Sequence, residues 1–182
     1  MKFSVEVLIN ELIVKTKENI SFANDLKLLL TNELNKRINE DSWSILECLE
    51  HLNLYGNFYL AEISDKIENN YETASKYFKS GILGNYFANS MLPKKKLNKM
   101  KTFKSMNPIF TDLDKKVIVT FIEQQYKLIE LLEYARSKNL TKIKTNISIS
   151  KWLKIRLGDT FRFVINHNLR HIQQIKNILN AE

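Results

Sequence analysis

The chain has 182 residues, 44% hydrophobic and 26% charged, with a formal net charge of +8; this length and balance predict one domain spanning residues 1–182 with a substantial core. Four glycines and two prolines are too few for a turn-dense all-β protein, and no run approaches the ~20 apolar residues of a membrane span. The only cysteine, Cys48, leaves no internal disulfide to form, and residues 1–10 lack the basic head and apolar run of a secretory signal, so the expected location is cytoplasmic.

Taken in chain order, the spacing predicts a first helix from about Val5 to about Leu30, with Leu8, Leu12, Phe22, Leu26 and Leu29 on one face at steps of three and four. A turn follows, to Ile38. The second helix is announced by Asp41-Ser42-Trp43-Ser44. Ser44 and Glu47 have the spacing of a capping box, in which the serine accepts a backbone N–H and the glutamate reaches back, while Trp43 is an apolar anchor before it. The buried stripe continues through Cys48, Leu52, Tyr55, Tyr59 and Ile63. Gly56 within it costs about 1 kcal/mol relative to alanine, which points to the close approach of another element.

From about Asn70 to Phe110 the pattern is least regular, with Gly81, Gly84, Pro93 and Pro108. Tyr77, Phe78, Ile82, Leu83, Tyr86 and Phe87 are too apolar for a disordered linker, so this stretch reads as a crossover whose first half packs as short helical pieces over one end of the fold. The charge excess is concentrated here. No acidic residue lies between Ser80 and Thr111, whereas Lys94, Lys95, Lys96, Lys99, Lys101 and Lys104 are all basic. Without an arginine-bearing recognition motif this cluster reads as a solvated surface distant from any metal chemistry, and no nucleic acid partner is expected.

The third helix should run from about Asp112 to Arg136, with Ile118, Phe121, Leu128, Leu132 and Ala135 in register and Gln125 interrupting the stripe. In the connection from Asn139 to about Ile155, the alternation Ile143, Ile147, Ile149 allows one short extended piece. A fourth helix begins near Gly158-Asp159 and ends at about Leu179. Four amphipathic segments of roughly 20 to 26 residues, joined by one short and two long connections, predict an all-α four-helix bundle with long crossover connections.

The three histidines carry the chemistry. His167 and His171 are four residues apart, about 6 Å along a helix axis and on one face, sharing the stripe of Val164, Ile175 and Ile178. His51 shares its face with Leu54, Tyr55 and Phe58. A buried ring nitrogen left unsatisfied costs about 1–3 kcal/mol. Singly, each histidine reads as a hydrogen-bonded core residue; together, all inward on helices of one bundle, they point to a shared divalent metal ion. Candidate catalytic residues beside it are Glu47, one turn before His51; Tyr55, one turn after; and Gln125 on a facing helix, with Gln174 as further support. Each also has a structural reading: the capping box, the aromatic core and buried amide pairing. Cys48 reads as a small buried hydrophobe. No phosphate-binding glycine loop, Ser-His-Asp set or zinc-finger cysteine pairing is present.

The run Trp43-Ser44-Ile45-Leu46-Glu47-Cys48-Leu49-Glu50-His51-Leu52 fits W-[ST]-x-x-[EQ]-x-x-x-H-[LIV], and His167-Asn168-Leu169-Arg170-His171 fits H-x-x-x-H more than a hundred residues later. In order, interval and helix placement the chain resembles the DinB-like (DinB/YfiT-like) superfamily of metal-dependent enzymes, including the frequent continuation R-H-x-x-Q at Arg170-His171-Ile172-Gln173-Gln174. The resemblance implies a three-histidine site for one divalent ion, zinc or nickel, held by His51, His167 and His171. It also implies an enzyme of the thiol S-transferase or hydrolase type acting on a small molecule, with a low-molecular-weight thiol as co-reactant, in a homodimer. The alternative is a metal-binding or stress-response protein without turnover. Many relatives carry glutamate directly after the first histidine of the pair; Asn168 stands there in this chain, so an acid–base role at that position is not expected.

Overall fold

A computed structural model describes residues 1–93 and 101–181. The chain runs β1 (Lys2–Ser4), α1 (Val5–Leu26), α2 (Thr31–Leu34), α3 (Ile45–Glu68), β2 (Tyr77–Lys79), α4 (Ile82–Ser90), a 3₁₀ turn (Lys104–Met106), α5 (Lys116–Ala135), β3 (Lys144–Ile147), β4 (Ser150–Arg156) and α6 (Leu157–Leu179). The fold is predominantly helical, as the periodicity requires. Among the described residues no helix is long and apolar enough to cross a membrane.

The four long helices pack in a ring, α1 against α5, α5 against α3, α3 against α6 and α6 back against α1. Their apolar stripes make two clusters rather than one. The first gathers residues such as Ile9, Leu12, Ile63, Leu132 and Phe161; the second gathers Leu26, Leu46, Leu49, Phe121 and Ile175. Where these clusters adjoin lie buried polar residues: Thr16 and Asn19 on α1, His51 on α3 at the edge of the second cluster, Gln125 on α5, and His167, Asn168 and His171 on α6. A polar layer thus crosses the interior, in which the three histidines meet one another, Asn168 donates to Gln125, and Thr16 Oγ1 donates to the Leu12 carbonyl of its own helix.

Local chemistry explains where α3 begins. Ser44 Oγ accepts the Glu47 N–H at 3.2 Å, and Glu47 Oε2 accepts the Ser44 N–H at 2.8 Å, which closes the expected capping box. At Gly56, α5 does come close: a Cβ there would fall on the carboxamide of Gln124, which donates to the Asn53 carbonyl at 3.1 Å and to Asn57 Oδ1 at 2.8 Å.

Four expectations need correction. The first helix ends at Leu26, not near Leu30: the next N–H groups turn back on carbonyls three residues earlier, and Leu28 and Leu30 are 83% and 63% exposed. The crossover contains a strand, β2, which pairs antiparallel with β1 through Phe3 and Phe78. Of the crossover's apolar residues only Phe78 is buried among those expected to pack; Tyr77, Ile82, Leu83 and Tyr86 are exposed. Residues 144–156 form a hairpin of two strands, with Lys144 opposite Arg156 and Thr145 opposite Ile155, instead of one extended piece.

The crossover helix α4 and the residues before it are hydrogen-bonded to a buried ion pair within α6, Asp159 with Arg162. Asp159 Oδ1 accepts from Ser80 Oγ at 2.5 Å and from Arg162 Nη1 at 3.1 Å, while its Oδ2 accepts the Gly81 N–H at 2.8 Å. Arg162 donates on to Asn85 Oδ1 and Asn89 Oδ1 of α4 at 3.0 Å each, so the two charges of α6 are matched one turn apart while α4 supplies neutral acceptors.

Candidate metal centre

His51 comes from α3, and His167 and His171 from successive turns of α6. Their side chains meet: His167 Nε2 lies 3.2 Å from His51 Nε2 and 3.1 Å from His171 Nε2. Nitrogens bound at about 2.0–2.1 Å to one ion stand about 2.8–3.4 Å apart, depending on whether the angle is octahedral or tetrahedral. The observed separations fall inside that interval, and the three residues form a set that could hold a metal ion.

The outer ring nitrogens decide which tautomers are present. His51 Nδ1 contacts the Met106 carbonyl at 2.6 Å, and His171 Nδ1 contacts Gln174 Oε1 at 3.0 Å. An oxygen of this kind can only accept, so both Nδ1 atoms carry the proton and both Nε2 atoms present a lone pair. Those two lone pairs face His167 Nε2, which has at most one proton to share. A cation at the centre resolves the excess of acceptors. Protonation of the rings does not, because burial holds them neutral: His51 is pushed down to about 4 by burial, against the Met106 hydrogen bond, and His167 and His171 lie well below the ordinary imidazole value, by burial first and by the charge of neighbouring histidines second.

Aromatic rings wall the imidazoles. Trp43 lies 4.6 Å from the His51 ring and 5.7 Å from the His171 ring, Tyr55 lies 4.9 Å and 4.8 Å from His51 and His167, and Phe163 stacks on His167 at 5.9 Å. On the outer side a cavity of about 580 Å³ reaches the three histidines; Trp43, Tyr55, Lys101, Asn107, Arg170 and Gln174 are among its lining residues. That volume suits a small molecule.

Of the candidate catalytic residues only Tyr55 stands at the cavity, its phenol kept protonated by burial and by neighbouring Tyr59. Glu47 does not line it. Both its oxygens are engaged by Arg37 (2.5 and 2.9 Å), by the Ser44 N–H, and by the Phe110 N–H at 2.6 Å. Its carboxylate is held below the usual range by these donors in spite of its burial. Gln125 is also displaced from the chemistry: its Oε1 accepts from Asn168 Nδ2 at 2.9 Å inside the helix ring. Gln174 reaches the site through His171. Cys48 is fully buried, with its thiol pushed up by burial and by the charge of Glu47, and is inert as a nucleophile.

The lysine cluster requires a further correction. Lys104 is exposed on the 3₁₀ turn, as expected, but Lys101 lines the cavity over the histidines and is not distant from them. Lys94, Lys95, Lys96 and Lys99 lie outside the described residues. Sequence reasoning missed the Met106 carbonyl, a backbone atom with no signature, and Asn107.

The fold and the site define a helical protein whose buried three-histidine cluster, suited to a metal ion, forms the floor of an open cavity. A family model described as the DinB superfamily matches residues 22–175, and the chain belongs to that superfamily. No curated protein and no solved structure matches the chain.

Proposed function

We propose that this protein is a divalent-metal-dependent enzyme of the thiol S-transferase or hydrolase type, with His51, His167 and His171 as ligands of one zinc or nickel ion. In this reading α1, α3, α5 and α6 make a four-helix bundle with crossover connections, a single DinB-like unit over residues 1–182. The observation that carries it is the convergence of three Nε2 atoms, two of them held as lone-pair donors by acceptors on Nδ1. An ion bound by three imidazoles supplies Lewis acidity at its open positions, lowering the pKa of a water or a thiol placed there. The chain's own residues do the rest. Trp43, Tyr55 and Phe163 keep water from the flanks of the imidazoles, and the cavity above admits a small molecule.

Within this class the thiol reading is favoured over hydrolysis. Among the described residues Asp41 is the only carboxylate lining the cavity, and Asn168 is committed to Gln125, so no general base stands beside the histidines. A thiol needs none once its pKa is lowered. The same lack of a base favours the rival, a metal-binding or stress-response protein without turnover. Elemental analysis of tag-free protein, followed by cobalt substitution and visible spectroscopy with added small thiols, tests both. One ion per chain and a sulfur-to-cobalt charge-transfer band support the enzyme. A bound ion whose spectrum no thiol alters supports the rival, and failure to hold any stoichiometric ion overturns the metal reading.

A further inference from the structure

Residues 104–110 cover the outer face of His51, yet little apolar burial holds them there. Of this segment only Pro108 is buried, while Asn107 is exposed and Phe110 is 68% exposed. Phe110 adopts φ 63°, the left-handed region that non-glycine residues seldom occupy. Polar ties fix the segment instead. At one end the Phe110 N–H donates to Glu47 Oε1 at 2.6 Å, and Arg37, bidentate on the same carboxylate, lies 4.6 Å over the Phe110 ring. Further along, Trp43 Nε1 donates to Asn107 Oδ1 at 3.0 Å. Next to that tie, His51 Nδ1 donates to the Met106 carbonyl. The spacing is matched: Met106 and Phe110 are four residues apart along the segment, as His51 and Glu47 are along one turn of α3.

We propose that Glu47 and Trp43 are positioning residues of the metal centre: by anchoring residues 104–110 they hold the Met106 carbonyl on His51 and so set the tautomer that turns a lone pair on Nε2 toward His167 and His171. The carboxylate that starts α3 thus also orients the histidine one turn further on. The consequence for metal affinity rests on the proposed metal site; the consequence for the tautomer does not. Loss of such an outer partner typically weakens metal binding about 10–100-fold.

The test uses long-range ¹H–¹⁵N NMR of the histidine rings in the metal-free full chain, beside zinc affinity by competition with a chromophoric chelator. Wild-type protein should show His51 protonated on Nδ1. Glu47→Ala should move His51 toward the Nε2–H form and weaken zinc binding about 10–100-fold. Glu47→Gln, which keeps an oxygen for the Phe110 N–H, should restore much of both. Ser44→Ala weakens the same helix end without touching the segment, and should leave tautomer and affinity unchanged. Asn107→Ala removes the acceptor of the Trp43 indole and should shift the tautomer from the other anchor, a result that stands even if Glu47→Ala does not fold. An unchanged His51 tautomer in either alanine variant overturns the role of that anchor. Equal losses in Ser44→Ala and Glu47→Ala reduce Glu47 to a helix cap and overturn the proposal. If wild-type protein binds no zinc, the metal site fails, while the tautomer comparison still decides the positioning role.

Discussion

Mild acid should destabilise the metal-free protein, and the buried imidazoles set where. In the folded chain His51 titrates at about 4, against 6.5 for a free imidazole, because burial disfavours its charged form. At pH above 6.5 the ring is neutral in both states and its contribution is fully present. Between 6.5 and about 4 the unfolded chain binds a proton that the folded chain refuses, so stability falls as pH falls. Carrying one titration from 6.5 to about 4 is worth about 3 kcal/mol at about 1.4 kcal/mol per pH unit. His167 and His171 act in the same direction. Such a loss is a large share of the roughly 5–15 kcal/mol of a typical domain. Glu47 does not obscure the window: its folded value lies below 4.5, so its contribution is complete above that pH and lost only below it. Urea unfolding followed by far-UV circular dichroism, with chelator present and pH stepped from about 7.5 to about 4.5, should show the midpoint falling steadily. His51→Gln should lessen the slope and leave the share that His167 and His171 contribute. A midpoint that stays constant across this range would refute the account of three neutral buried rings.

His171→Ala removes one of the three converging nitrogens; metal per chain by elemental analysis should drop from one to well below one, with far-UV dichroism unchanged because the apolar stripes persist. Gly84→Ala would set a methyl group 2.4–2.6 Å from Asp159 atoms that cannot yield, since the carboxylate is buried and tied to Ser80 and Gly81; a urea titration should show a loss of about 1–3 kcal/mol. Gly56→Ala meets only the mobile end of Gln124, and the helix propensity gained, about 1 kcal/mol, offsets the two hydrogen bonds given up; the reverse order of these two costs would contradict the packing described. Asp159→Ala leaves Arg162 buried without its counter-charge and should cost about 3–5 kcal/mol, with faster amide exchange in α4 as the second readout.

Sequence alone determined what depends on near neighbours. The capping box of Ser44 and Glu47, the one-turn spacing of His167 and His171, and the need for an approach at Gly56 are local matters, legible because helix geometry repeats every 3.6 residues. Pattern misled where a run of leucines continued past the end of α1, since Leu28 and Leu30 look apolar whether or not a partner covers them. Tertiary structure alone decided what depends on distant partners. Phe3 and Phe78 pair across 75 residues, and Gln125 turns to Asn168 and not to the histidines because both amides are buried in one polar layer and each satisfies the other. The Glu47 carboxylate is taken up by Arg37 and the Phe110 N–H, and the partner of His51 is a main-chain carbonyl on a segment far along the chain. A backbone oxygen is the same atom in every residue, so no sequence pattern can mark it; only the fold brings it to an imidazole.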